Sequence, residues 1–289
     1  DLGAGSGSVN FDADVGSITT LLSLAINTAD LGANFSGNVS AGTITITPIT
    51  NFKGTSTLTG SSIIFGNAVN GPGSLTLDGS SITFADVVGS SPSLSSFSLT
   101  SGNITAWPSS ITTTGLLNLV PAVTLDRSVS LSSTNGPITT NTIVGASDGD
   151  QDLSINAGTG YFSLGRIGTG GALGQVILTA DSQSFIQWII TQSQPITVNA
   201  SILLTASSTI DSTNGETASG ATITLGPIGA SSTGINAETL TINATYLGTG
   251  SLITLNGELG GGDNPLGAVT IQGLSATSLV DVCKLYFYQ

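Results

Sequence analysis

Apolar and polar residues alternate in short runs along most of this chain. Thr43-Ile44-Thr45-Ile46-Thr47 is the clearest case, and Pro48 ends it. Ser56–Leu58, Ile63–Phe65, Leu75–Leu77 and Ile82–Phe84 continue the rhythm, separated by punctuation such as Asn70-Gly71-Pro72-Gly73. A period of two turns one face of a strand inward and the other outward. The runs predict strands of about four to six residues, and so dense a distribution of glycine predicts no helix in them. Residues 1–30 are the least regular. There Val15–Ile26 is apolar enough for a short helix or for two strands.

The stretch Asp152–Ala180, D-L-S-I-N-A-G-T-G-Y-F-S-L-G-R-I-G-T-G-G-A-L-G-Q-V-I-L-T-A, has echoes at Ser74–Gly102 and Thr239–Gly273. Leu75, Leu153 and Leu240 lead the three copies and are almost evenly spaced. Ser-Thr-Asn-Gly at Ser133–Gly136 returns at Ser212–Gly215 after nearly the same interval. The chain therefore reads as super-repeats of about 80 residues, each holding several coils of roughly 20–25 residues. One coil cannot bury its own apolar face, but stacked coils bury a continuous column of Leu, Ile and Val. The expected fold is all-β: an elongated right-handed parallel β-helix, or β-solenoid, with atypical terminal segments. About a dozen coils at ~4.8 Å spacing would give a rod on the order of 60 Å. A pair of β-sandwich domains is the competing reading, since short strands at regular spacing suit it too. Two Trp and four Tyr in 289 residues are few for sandwich cores. The expected divisions are 1–36, an N-terminal cap or first coils; 37–275, the solenoid; and 276–289, a C-terminal cap or inter-subunit strand.

Composition narrows the partners. Charged residues are 7% of the chain, and the net charge is −13 with four basic residues, Lys53, Arg127, Arg166 and Lys284. Nucleic acid needs clustered Lys and Arg, and an anionic membrane surface needs them too. Neither partner is expected. No apolar run approaches the ~18 residues of a membrane-spanning helix. Aromatic residues at 5% and short strands argue against a transmembrane barrel. The chain starts at Asp1 with no signal segment ahead of it, so it reads as a processed product or a piece of something longer. One cysteine in so long a chain fits an exported protein.

The segments N-A-G-T-G-Y-F-S-L-G and L-G-Q-V-I-L-T-A of the central stretch, with T-L-T-I-N-A and P-L-G-A-V-T-I further on, resemble repeats of large secreted bacterial surface proteins of the filamentous-haemagglutinin type. The resemblance covers roughly residues 37–275. It implies a right-handed parallel β-helix, export through the outer membrane, and adhesive or matrix roles. The N-P-N-L-like secretion motif of that family's amino-terminal domain is absent from this chain.

Candidate chemistry is sparse. There is no His, so Ser/His/Asp catalysis is excluded. Asp148-Gly149-Asp150-Gln151-Asp152 is the strongest acidic cluster. The alternate carboxylates of Asp148, Asp150 and Asp152 can converge on calcium, which takes six to eight oxygens; the alternative is a solvated acidic turn. No other cofactor is expected. Polysaccharide-cleaving enzymes need paired carboxylates or a base beside them. Arg166, and Arg127 beside Asp126, are the central candidates, and the three Glu are scattered at Glu216, Glu238 and Glu258. At the carboxyl end Cys283, Tyr286, Phe287 and Tyr288 close a glycine-free segment. It reads either as a cap or as a strand given to the next subunit.

These features lead to one expectation and two alternatives. The expectation is a non-catalytic, extracellular, cell-surface adhesin or stalk segment. Its partners would be host or neighbouring-cell glycans and proteins, or other copies of itself. The first alternative is a self-assembling filament or sheath subunit. The second is a polysaccharide-active β-helix enzyme.

Overall fold

The computed structural model describes residues 2–231, 238–246, 249–260, 266–273 and 280–285, with 246, 249–250 and 280–285 described as backbone. The described residues are all-β, without helix. The strands pair in parallel, as a β-solenoid requires. The exceptions among them are the antiparallel pair Thr245–Tyr246 with Thr249–Gly250 and the single bridge Gln192–Thr213. The chain divides into two compact units, Asp1–Thr140 and Asn141–Gln289.

In the first unit, one sheet stacks Leu2–Gly5, Leu21–Ala29, Val39–Ile46, Thr55–Phe65, Ser74–Phe84, Ser96–Ala106 and Leu117–Leu119 in chain order. A second sheet stacks Val9–Phe11, Ala33–Phe35, Thr50–Phe52 and Val69–Asn70. Residues 2–35 thus already run as coils. The irregular Val15–Ile26 contributes a bridge from Val15 to Val39 and the start of the strand Leu21–Ala29. Register places like residues over like. Ile44, Ile63 and Ile82 form one column, and Ile46, Phe65 and Phe84 the next, all essentially without exposure. Phe65 and Phe84 stack at 5.1 Å with rings 6° apart, and Phe11, Phe35 and Phe52 stack at 4.9 and 5.5 Å.

Several first-unit strands reach eight to eleven residues, longer than the alternation alone predicts. The reason is that each runs around a corner. In Thr55–Phe65 the buried positions are Ser56 and Leu58, then Ile63 and Phe65, so the inward phase shifts across Thr59–Ser62. Glycine stands at the bend. A Cβ on Gly79 would lie 2.8 Å from the Gly60 carbonyl oxygen of the preceding coil. At Gly102 the left-handed φ of +81° and overlap with the Gly79 carbonyl oxygen exclude any side chain.

The second unit builds the same way. Leu153, Val176, Ile196, Ile223 and Ile253 form one buried column, and Ile155, Leu178, Val198, Leu225 and Leu255 run beside it. On another face Ile167, Ile189, Ile210 and Ile242 stack in register. Each fully buried aliphatic side chain contributes roughly 1.5–3 kcal/mol. By contrast the ion pair Arg127–Asp126, at 3.5 Å with both side chains more than a third exposed, contributes little.

Coil length is not constant. Ile46, Phe65 and Phe84 are evenly spaced along the chain, and the step from Leu153 to Val176 is slightly longer. The steps from Ile223 to Ile253 and from Ile210 to Ile242 are longer still, by about half the length of a first-unit coil. Leu153 and Leu240, equivalent in the string repeat, fall in different sheets of the second unit. The backbone therefore repeats by the coil, and similar strings recur because every strand meets the same inward and outward demands.

Candidate functional site

The acidic turn Asp148–Asp152 sits at a corner of the second unit and serves as hydrogen-bond acceptor to the adjoining coil. Asp148 Oδ1 accepts the Ala172 backbone N–H at 2.8 Å, and Asp152 Oδ1 accepts that of Gln175 at 2.6 Å. Asp148 Oδ2 accepts Asn214 Nδ2 at 3.2 Å, while Asp150 is exposed. Gln151 is buried, and its Oε1 accepts the Ser147 N–H. Among the described residues no three His, Cys, Asp or Glu side chains converge as a metal site. The sequence located the carboxylates; their partners lie one coil away or further.

The same corner gathers unusual backbone. Ser193, Asn214 and Glu216 have φ of 54°, 50° and 65° and are the non-glycine residues of positive φ among those described. Asn214 donates to both Asp148 and Gln192. Behind it Asp211, 5% exposed, accepts the Thr213 N–H at 2.7 Å, the Thr213 hydroxyl at 2.6 Å and the Gly215 N–H at 2.8 Å. Three donors offset the cost of burying this carboxylate. The corner is a satisfied polar stack that holds an enlarged coil closed.

In the first unit the glycine bends line a shallow groove of about 370 Å³, edged by Thr20, Ser40, Thr59, Ser61 and Ser80, with Asp78 accepting the Ser101 hydroxyl. One carboxylate is present there; the two that glycoside hydrolysis uses are not assembled. Asp126 is likewise engaged, accepting the Trp107 backbone N–H at 3.1 Å beside Arg127.

Two features escaped sequence reasoning. The first is an asparagine ladder on the outer side of the phenylalanine column. Asn34 Nδ2 donates to Asn10 Oδ1 at 2.8 Å, and Asn51 Nδ2 donates to Asn34 Oδ1 at 3.2 Å. The recurring dipeptide Asn-Phe at 10–11, 34–35 and 51–52 is the signal that carries it. The second concerns Arg166. Its guanidinium carbon lies 5.2 Å from the centroid of Trp188, the residue beside it on the neighbouring strand. Tyr161 and Phe185 meet edge-to-face at 6.0 Å at the start of the same strand pair. Cys283 lies in the strand Val280–Leu285, parallel to Ile253–Leu259. Its side chain, with Tyr286, Phe287 and Tyr288, falls outside the described residues.

No family model, no curated protein and no solved structure matches this chain. The likeness to filamentous-haemagglutinin-type repeats rests on the quoted segments alone.

Proposed function

We propose that this chain is a non-catalytic, exported β-solenoid that works at a cell surface as an adhesive or stalk-like element. The observation that supports this most is the set of polar rows on its outward strand positions. Thr57, Thr76, Ser98, Asn118 and Thr139 stand in register on successive first-unit strands. Thr139 donates to Asn118 at 2.6 Å. Such a row repeats one weak polar contact at each ~4.8 Å strand step. Contacts of that kind become useful when summed over a repeated surface. Beads carrying many copies should be retained on glycan- or protein-coated surfaces, while the free chain is washed away. Equal washing of beads and free chain would defeat the reading.

A second reading, self-assembly into a filament, draws on one observation. Strand Leu21–Ala29 is paired on its outer edge by Leu2–Gly5 only from Ile26 onward, among the described residues. Beside this open edge Leu22 and Ile18 are 91% and 98% exposed. Open parallel edges recruit strands. Concentration-dependent fibres in electron micrographs, lost in Leu22→Asp, would favour this reading over the first.

A further inference from the structure

Tyr161, Arg166, Phe185 and Trp188, on or beside the strands Phe162–Ile167 and Phe185–Ile190, stand outside the core, unlike Phe162, which is fully buried. In the first unit Phe35, Phe52, Phe65, Phe84, Phe97 and Trp107 are fully buried. Trp188 and Phe185 instead take outward positions, half-buried, and Tyr161 is 38% exposed. Arg166 is exposed beside Trp188 and forms no ion pair among the described residues; its contact is the Trp188 ring. Lys53 likewise forms no ion pair among the described residues; what sets Arg166 apart is the ring it lies against.

A guanidinium is planar and weakly hydrated, so it lies on an indole and keeps its N–H fork free at the rim. A fork held that way suits a carboxylate or sulfate, which it takes through two parallel hydrogen bonds. Exposed Trp and Tyr rings offer flat apolar area at small entropic cost. Sugar rings present flat C–H faces to such surfaces. We infer that Arg166 and Trp188, with Tyr161 and Phe185 further along the same two strands, form an extended docking site for an acidic polysaccharide: the guanidinium takes an anionic group and the aromatic rings take sugars along the polymer. This deepens the surface-binding reading and rests on it. The net charge of −13 offers a polyanion no general attraction, so binding has to be local.

Tryptophan emission reads the site directly, because Trp107 is sealed in the first unit and Trp188 is half-exposed. The 289-residue chain is titrated with oligogalacturonate, with dextran sulfate and with neutral dextran. The expected result is a saturable change in emission with an acidic polymer, absent with neutral dextran and absent in Trp188→Phe. Preference between oligogalacturonate and dextran sulfate identifies the anionic group as carboxylate or sulfate. Arg166→Gln should weaken binding at least tenfold, and Arg166→Lys several-fold, since the charge stays and the fork goes. Unchanged Trp107 emission and far-ultraviolet circular dichroism show that the variants are folded. Equal response to neutral dextran, equal binding by Arg166→Gln, or no response to either polyanion overturns the inference. Bead retention measured on the same variants separates the two claims. If wild-type beads are retained but no acidic polymer binds, this site fails and surface binding stands. If wild-type beads are not retained anywhere, surface binding itself fails.

Discussion

Removing one ring from an aromatic column tests whether the coils are held by inward stacking. Phe84 is the choice, because it is 1% exposed, stacks on Phe65 at 5.1 Å and meets Phe97 at 6.4 Å. Phe84→Ala removes roughly 2 kcal/mol of transfer free energy. The cavity left among backbone-fixed coils adds about 2 kcal/mol more, at roughly 24 cal/mol per Å³. A loss of about 4 kcal/mol is expected, against about 1 kcal/mol for Phe84→Leu, which keeps most of the volume. Urea unfolding followed by Trp107 emission in a Trp188→Phe background reports on the first unit, since Trp107 is fully buried within it. With an m-value of about 2 kcal/mol/M, the midpoint should fall by roughly 2 M for Ala and about 0.5 M for Leu. A fall of under about 0.5 M for Phe84→Ala would refute the argument that ring stacking between coils carries the stability of this column.

Ser56 is fully buried with an unpartnered hydroxyl, in register with Leu75, so Ser56→Ala should raise stability by about 1 kcal/mol in the same urea assay. Gly102→Ala should cost at least about 2 kcal/mol, through the φ of +81° and the clash with the Gly79 carbonyl. Asn34→Asp removes the donor to Asn10 and should cost about 1–2 kcal/mol in thermal and urea unfolding. Adding millimolar calcium, or chelating it, should leave the melting temperature unchanged, because Asp148 and Asp152 already accept backbone N–H groups; a rise of several degrees would show a calcium site.

The alternation Thr43–Thr47 was enough to read Ile44 and Ile46 as inward, and the structure buries both. Parallel stacking was legible because glycine-punctuated short strands with few aromatics have few other ways to form a core. What could not be read was which strand lies over which. The step from Ile46 to Phe65 is far shorter than that from Ile210 to Ile242, so the columns follow no fixed period. Corners accept insertions such as residues 212–222 without disturbing the columns. The bends were also hidden. Thr59-Gly60-Ser61-Ser62 reads as a turn between two strands, yet the backbone pairs straight through it. Site residues suffered most from the unknown register. Arg166 stood out alone in the sequence, but the ring it rests on belongs to Trp188, on the next strand of the sheet. The acidic turn was recognisable as carboxylates in series. Its partners Ala172, Gln175 and Asn214 came only with the coils that fold against it.

A surface that binds by repetition and turns over no substrate has a direct signature. Protein-coated beads and free protein are compared for retention on polysaccharide-coated surfaces, with the released sugar assayed in the same wash. Strong bead retention, weak retention of free chain and no released sugar above the uncoated control are expected. Shortened polysaccharide in the wash, or beads and free chain retained alike, would contradict binding by repetition without turnover.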